Sequence, residues 1–197
     1  MADGVVEGRL AELGLELPRK LPDPVGNYVG AVTVGNLVFV SGHGPYRDGE
    51  LQHIGKVPSE VSFEDAVQAA QLVMLNCLAD LKIEIGSLDR VKRIVKVLGM
   101  VNSDPDFDRQ PKVINGASDL LTTIFGDKGR HARAAVGMGA LPARISVEIE
   151  MIVEIEEATW AVGLRARSQS SRARARASAG RARCGLPRRG RAWSLPT

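Results

Sequence analysis

Phe, Trp and Tyr together make up only 4% of the 197 residues. Any core must therefore be built from Leu, Val, Ile and Ala. There are two cysteines, Cys77 and Cys184, too few for a disulfide framework and wrongly spaced for a metal site. A reducing, cytoplasmic setting is the default expectation. The three histidines, His43, His53 and His131, form no HxH or HxxxH pair, so no metal is expected. GxGxxG and P-loop patterns are absent, which leaves nucleotide binding without a motif. No run of 18 apolar residues occurs, so no transmembrane helix is expected. The opening residues carry no basic stretch ahead of an apolar one, so no signal peptide is expected either.

Acidic residues are missing from the last forty positions. Residues 158–197 hold ten arginines and no Asp or Glu. Of 26 basic and 23 acidic residues in the chain, 16 basic and all 23 acidic remain before position 158, a net of −7. The whole-chain charge of +3 therefore hides an acidic domain. The tail has too few and too aperiodic apolar residues to cover a core and is expected to be disordered. It reads as an inert extension or a frameshifted end ahead of an arm that attracts nucleic acid or membrane through its arginines.

The rest of the chain is patterned. Val6–Leu13 reads as a short amphipathic helix stopped by Gly14, followed by an extended arm with Pro18, Pro22 and Pro24. Residues 1–25 form this arm, and 26–157 the domain proper. Two strands within 25–41 are joined at Val34-Gly35-Asn36-Leu37. Phe63–Ile85 carries apolar residues at three- and four-residue steps, with Ser62 placed to cap it and Gly86 to end it. Arg90–Val101 reads as a strand with Val91, Val95, Val97 and Val101 on one face. Pro111–Phe125 reads as a second helix, and Ala132–Leu141 and Ile145–Ile155 as alternating strands. This order predicts one α+β domain, a single sheet with two helices on one face. The mixed composition of the other face suggests burial against copies of the chain in a closed oligomer.

Three places could carry chemistry. Arg133 lies on a strand face with Ala135, Gly137 and Gly139, small neighbours that leave a guanidinium room to hold a carboxylate with two parallel bonds. The plain alternative is an intramolecular ion pair. Glu148, on the polar face of the last strand, could activate a water, or could be an exposed residue like Glu150 and Glu154. Ser41-Gly42-His43-Gly44-Pro45 is a specialised turn. Nothing in the sequence supplies the orienting group that a Ser41–His43 nucleophile would need.

Several segments together resemble the Rid (reactive intermediate deaminase) family, also called endoribonuclease L-PSP or chorismate-mutase-like. They are Tyr28-Val-Gly-Ala-Val32, Gly35-Asn-Leu-Val-Phe-Val-Ser-Gly42, Asp106-Phe107, Ala132-Arg133, Ala140-Leu-Pro142 and Val147-Glu-Ile-Glu150. The resemblance covers roughly residues 6–157. It implies a mixed sheet of about six strands, a homotrimer with clefts between subunits, and no cofactor. It also implies hydrolysis of enamines and imines such as 2-aminoacrylate or 2-iminobutanoate to 2-oxo acids and ammonia. Carried over by position, Arg133 would clamp the substrate carboxylate and Glu148 would serve the attacking water. Tyr28 would line the cleft, and Ser41, Gly42 and His43 would form its turn. Asn115 is the candidate for the ligand-bonding asparagine of the second helix, at a longer spacing from Asp106-Phe107 than the family pattern has.

The chain also departs from that pattern. His43 stands where glutamine is usual, Ala135 where many deaminases have cysteine, and His131 where proline is common. The alternatives are a regulatory trimer that holds a 2-oxo acid without turnover, a ribonuclease as the older name implies, and a chorismate mutase. The charge of −7 over residues 1–157 weighs against the ribonuclease, since phosphate neutralisation dominates nucleic-acid affinity. Chorismate would require a second cation near Arg133, with Arg130 and Arg144 close in sequence.

Overall fold

The computed structural model describes residues 4–18, 21, 22, 24 and 26–156. The arginine-rich tail lies outside the described residues.

The N-terminal helix α1 (Val5–Glu12) is followed by the hairpin β1 (Ala31–Val34) and β2 (Leu37–His43), turned at Gly35 and Asn36. A separate two-strand ribbon, β3 (Tyr46–Arg47) with β4 (Glu50–Leu51), leads to the long helix α2 (Phe63–Ile85). Then come β5 (Val91–Asn102), α3 (Gln110–Phe125), β6 (Ala132–Met138) and β7 (Val147–Ile155). The principal sheet runs β1-β2-β7-β5-β6. Among the described residues its one parallel strand pair is β5 with β6, the two strands that α3 connects, as a crossover requires. The class is the expected α+β with a mixed sheet. The expected count of about six strands resolves into five in one sheet and a two-residue ribbon apart from it.

Local chemistry explains the boundaries. The Ser62 hydroxyl accepts from the Asp65 amide at 3.0 Å and starts α2, and Gly86 at φ 83° ends it. Such a cap contributes about 1 kcal/mol. Val38, Val40, Val97, Val101, Val147, Ile149, Met151 and Val153 face α2 and α3 and form one core with them. Buried positions on α2 run without a break from Leu72 to Ala79, more than one stripe, because Leu15 and Leu17 of the arm cover part of its outer side. By length and composition α2 is apolar enough to cross a membrane, yet 67% of that apolar window is buried, as befits a core helix.

One face assignment fails. Ile94, not Val95, is fully buried on β5. The pairing with β7 slips between Val91 and Arg93 and again between Ile94 and Lys96. Each slip inserts an unpaired residue and reverses the alternation, which no strict period of two could anticipate. The other sheet face exposes Val32 at 48%, Phe39 at 44% and Val136 at 41%.

Candidate functional site

Arg133 sits on β6, an edge strand, opposite Val97 of β5 and on the face that α3 covers. Its Nη1 donates to Asn115 Oδ1 at 2.9 Å and to Ser118 Oγ at 3.0 Å, and its Nη2 to the Pro111 carbonyl at 3.2 Å. All three acceptors belong to α3, where the spacing of Asn115 and Ser118 by three residues puts both on one face. A guanidinium has five N–H donors. Three are engaged, so Nε–H and one N–H of Nη2 remain. Among the described residues no carboxylate lies within ion-pair distance of Arg133. With the described residues, then, Arg133 forms no intramolecular ion pair.

Behind Arg133 lies a histidine. Ser118 Oγ is 3.0 Å from His131 Nε2, and His131 Nδ1 is 2.6 Å from the Gly129 carbonyl. A carbonyl can only accept, so Nδ1 carries the hydrogen. In the neutral ring Nε2 then accepts from Ser118, whose oxygen takes the Arg133 proton. Burial holds the His131 pKa below its ordinary value; the Gly129 bond opposes that shift and the Arg133 charge adds to it. The network and the neutral ring are mutually consistent.

A second cluster lies at the other end of the sheet order. Tyr28 is 52% exposed, just before β1. Ser41 donates its amide to the Gly30 carbonyl at 2.9 Å and its hydroxyl to the Val29 carbonyl at 2.7 Å. The hydroxyl ties the segment before β1 and is not directed at His43, which leaves the serine-nucleophile reading without support. Between Val40 and His43 the pairing of β2 with β7 slips, and His43 comes to oppose Ile149 and to face α2. There its Nε2 lies 3.2 Å from Asp80 Oδ2, close enough for a charge contact but outside hydrogen-bond alignment.

Two glycines make room for carboxylates here. A Cβ on Gly42 would strike Glu148, and one on Gly30 would strike Asp80. Glu148 is half-buried on β7, opposite Met100. Burial raises its pKa, Glu150 raises it further, and His43 draws it back. A cavity of about 60 Å³ is bounded by Tyr28, Gly30, Gly42, His43, Tyr46 and Asp80.

The residues singled out from sequence thus form two half-sites. Arg133 and Asn115, read separately, meet directly. Tyr28, Ser41, Gly42, His43 and Glu148 gather around the β1–β2–β7 end. Within one chain Arg133 and Glu148 are not brought together. β5 lies between them, Glu148 is three register rows away, and it belongs to the opposite sheet face. Sequence reasoning missed Ser118 and Asp80. Ser118 could have been found from its helical spacing to Asn115. Asp80 could have been found as the single charged residue between Asp65 and Lys82 of that helix, one turn beyond Cys77.

A mixed sheet with helices on one face, an arginine anchored on its β6 edge and a glycine-bedded glutamate on its central strand define a class of small α+β proteins. A family profile described as "YjgF/chorismate_mutase-like, putative endoribonuclease" matches residues 7–154. Protein TCP17 of Trypanosoma cruzi is 39% identical over 156 residues, spanning 79% of this chain and 97% of that protein. The crystal structure of the protein Atu1372 from Agrobacterium tumefaciens superposes with a TM-score of 0.72 at 46% identity, covering 77% of this chain and 93% of that one. A structure named "putative endoribonuclease" from Shewanella oneidensis gives 0.74 at 34% identity, covering 77% of this chain and all of the other. The chain belongs to the YjgF/chorismate-mutase-like family, the Rid or endoribonuclease L-PSP family that its sequence resembles.

Proposed function

We propose that this protein hydrolyses reactive enamine and imine acids of the 2-aminoacrylate or 2-iminobutanoate type to 2-oxo acids and ammonia. The observation that carries this reading is Arg133: anchored by three acceptors on α3, free of any described carboxylate, and left with two N–H groups. That arrangement suits the carboxylate of a small planar acid. An already electrophilic C=N then requires little beyond an activated water, a role that the raised pKa of Glu148 suits.

The two half-sites meet in this proposal through assembly. One lies at the β6 edge and the other on the β1–β2–β7 side of the sheet, and a head-to-tail ring that closes, a homotrimer, would set Arg133 and Asn115 of one copy against Tyr28, His43 and Glu148 of the next. The exposed Val32, Phe39 and Val136 are the apolar surface such a ring would cover.

The test is a coupled assay on the full chain. 2-Aminoacrylate or 2-iminobutanoate is generated in situ and loss of the imine is followed beside an Arg133→Ala variant of unchanged fold. Loss faster than in buffer, and abolished in the variant, is expected. No acceleration by a folded trimer that still binds a 2-oxo acid would favour the second reading, a regulatory binder, since the Arg133 geometry serves binding equally well. The ribonuclease reading would require RNA binding by a domain whose net charge over residues 1–157 is −7.

A further inference from the structure

We infer that the cavity beyond the ends of β5 and β6 holds the side chain of the substrate, and that this side chain ends in a carboxamide, as in the 2-imino acid derived from glutamine. This rests on the deaminase reading and names the substrate class of the same site. The cavity, of about 660 Å³, is bounded by Lys56, Ser103, Asp104, Gln110, Gly137 and Gly139. It adjoins the face of β6 that carries Arg133. A Cβ on Gly137 would meet Ser103 Oγ at 2.8 Å and Gln110 Nε2 at 2.9 Å, so this face looks onto the start of α3. The next residue of α3, Pro111, holds Arg133 Nη2 through its carbonyl. Between Arg133 and Gly137 the same face carries only the small Ala135. Four residues of strand span about 13 Å, and the Arg133 side chain, drawn to Pro111, covers part of that length. An acid with its carboxylate on Arg133 can therefore extend along β6 into the cavity.

The cavity is lined by one cation and one anion that do not pair. Among the described residues neither Lys56 nor Asp104 has an opposite charge within ion-pair distance, and both are half-buried. Glu60, close to Lys56 in sequence, is held by the Lys56 amide and the Arg144 guanidinium. Lys56 Nζ donates to the Gly139 carbonyl at 2.7 Å, to Asn102 Oδ1 at 3.1 Å and to the Ser103 carbonyl at 3.4 Å. The last contact is beyond the usual range, and its N–H is the one a ligand can take. Asp104 Oδ2 accepts from the Ser59 amide at 3.2 Å, while Oδ1 meets no described donor. Gln110 Nε2 is engaged by the Phe107 carbonyl and Ser103 Oγ, which leaves Oε1 open. A side chain with a net charge is attracted by one of the two charged groups and repelled by the other. An alkyl chain would leave both without a partner in place of water. A carboxamide is neutral and carries both functions: its oxygen accepts from Lys56, and its NH₂ donates to Asp104 Oδ1 and Gln110 Oε1. The side chain takes no part in the hydrolysis. Water gives its oxygen to the imine carbon and both hydrogens to the nitrogen, which leaves as ammonia.

The experiment uses the full chain. An L-amino-acid oxidase generates the imines of glutamine, glutamate and norvaline in situ, and their loss is followed by semicarbazide trapping. kcat/KM for the glutamine imine is expected to exceed the other two by about tenfold. Asp104→Asn leaves a single cation in the cavity, so the glutamine-to-glutamate ratio should fall by about tenfold. Lys56→Gln leaves a single anion and should raise that ratio, which keeps the test open where Asp104→Asn fails to fold. Ratios are unmoved by a general loss of active protein. A wild-type ratio near one, or variants that keep the wild-type ratio, would overturn the inference. If no imine is turned over by the wild type, the deaminase reading falls. Binding of the stable acids glutaramate, glutarate and pentanoate, followed by NMR, then decides the cavity alone. Glutaramate bound tightest by the wild type, with glutarate overtaking it in Asp104→Asn, upholds the carboxamide site, and any other order ends it.

Discussion

The two halves of the candidate site are built on different principles. Around Arg133 three bonds are made and two N–H groups stay open. Asn115, Ser118 and the Pro111 carbonyl each accept from the guanidinium, and Ser118 passes the chain on to His131 and Gly129. Around His43, by contrast, Gly42 and Gly30 leave room for the Glu148 and Asp80 carboxylates, and the buried His43 Nε2 is left without a hydrogen-bond partner. A group that only has to hold a fixed charge gains from being locked, because its geometry is then set before the ligand arrives. A group that must take up and release a proton gains from poor solvation, which brings its pKa towards the working pH. The difference between the halves therefore reads as a division between binding and proton transfer.

The largest expected effect breaks the binding half. Arg133→Ala removes two charge-assisted bonds to the substrate, each about 1.5–3 kcal/mol. kcat/KM should fall by roughly a hundred- to ten-thousandfold and 2-oxo-acid binding with it. Arg133→Lys sharpens the point. Lysine keeps the charge but not the planar fork, so it should restore less than a tenth of kcat/KM. Full recovery by lysine in the same assay would show that charge alone suffices and that the anchoring by α3 is incidental.

The next effect separates proton transfer from stability. Glu148 must be ionised to accept a proton from water, so the rate should fall as pH drops through its pKa, which lies above the ordinary 4.5. Glu148→Gln should lose about a hundredfold in kcat and lose that acid limb with it. The stability sign is opposite. A carboxyl whose pKa is raised by folding stabilises the fold while protonated, and that contribution is lost as pH rises through the folded value. At neutral pH the glutamine variant should therefore melt at the same temperature as the wild type or higher. A variant that loses activity and stability together would assign Glu148 to the scaffold.

How much of this was legible beforehand follows the same division. The helix Phe63–Ile85, its Ser62 cap and Gly86 stop, and the alternation of Val147–Ile155 come from local rules and agree with the structure. So does Arg133 on a face of small residues. What stayed hidden depends on contacts across the fold. Ile94 replaces Val95 in the core because of a bulge set by β7. Asp80 faces His43 only because β2 slips against the same strand. The separation of Arg133 from Glu148 is a matter of strand order, β7-β5-β6, which periodicity does not carry. The ribbon of Tyr46–Arg47 with Glu50–Leu51 is too short for any pattern to appear.

The smallest expected effect tests whether the locked half is locked by its second layer. Ser118→Ala removes one of three anchors of Arg133 and the acceptor–donor link to His131, while the Asn115 and Pro111 bonds remain. One lost bond to a charged donor at a half-exposed position contributes about 1 kcal/mol, so KM should rise about fivefold with kcat nearly unchanged. The pH dependence gives the sharper reading. His131 is held neutral by burial, its folded pKa below the ordinary 6.5. Its contribution to stability is therefore complete above that value and lost as pH falls through the folded pKa. Once protonated, Nε2 becomes a donor, the Ser118 hydroxyl can no longer give its hydrogen to the ring, and an imidazolium stands near the Arg133 guanidinium. KM of the wild type should change across that titration, and the change should be smaller in Ser118→Ala, where the link is already cut. Equal pH profiles for the two proteins would mean that His131 braces the Gly129 turn and has no hold on Arg133.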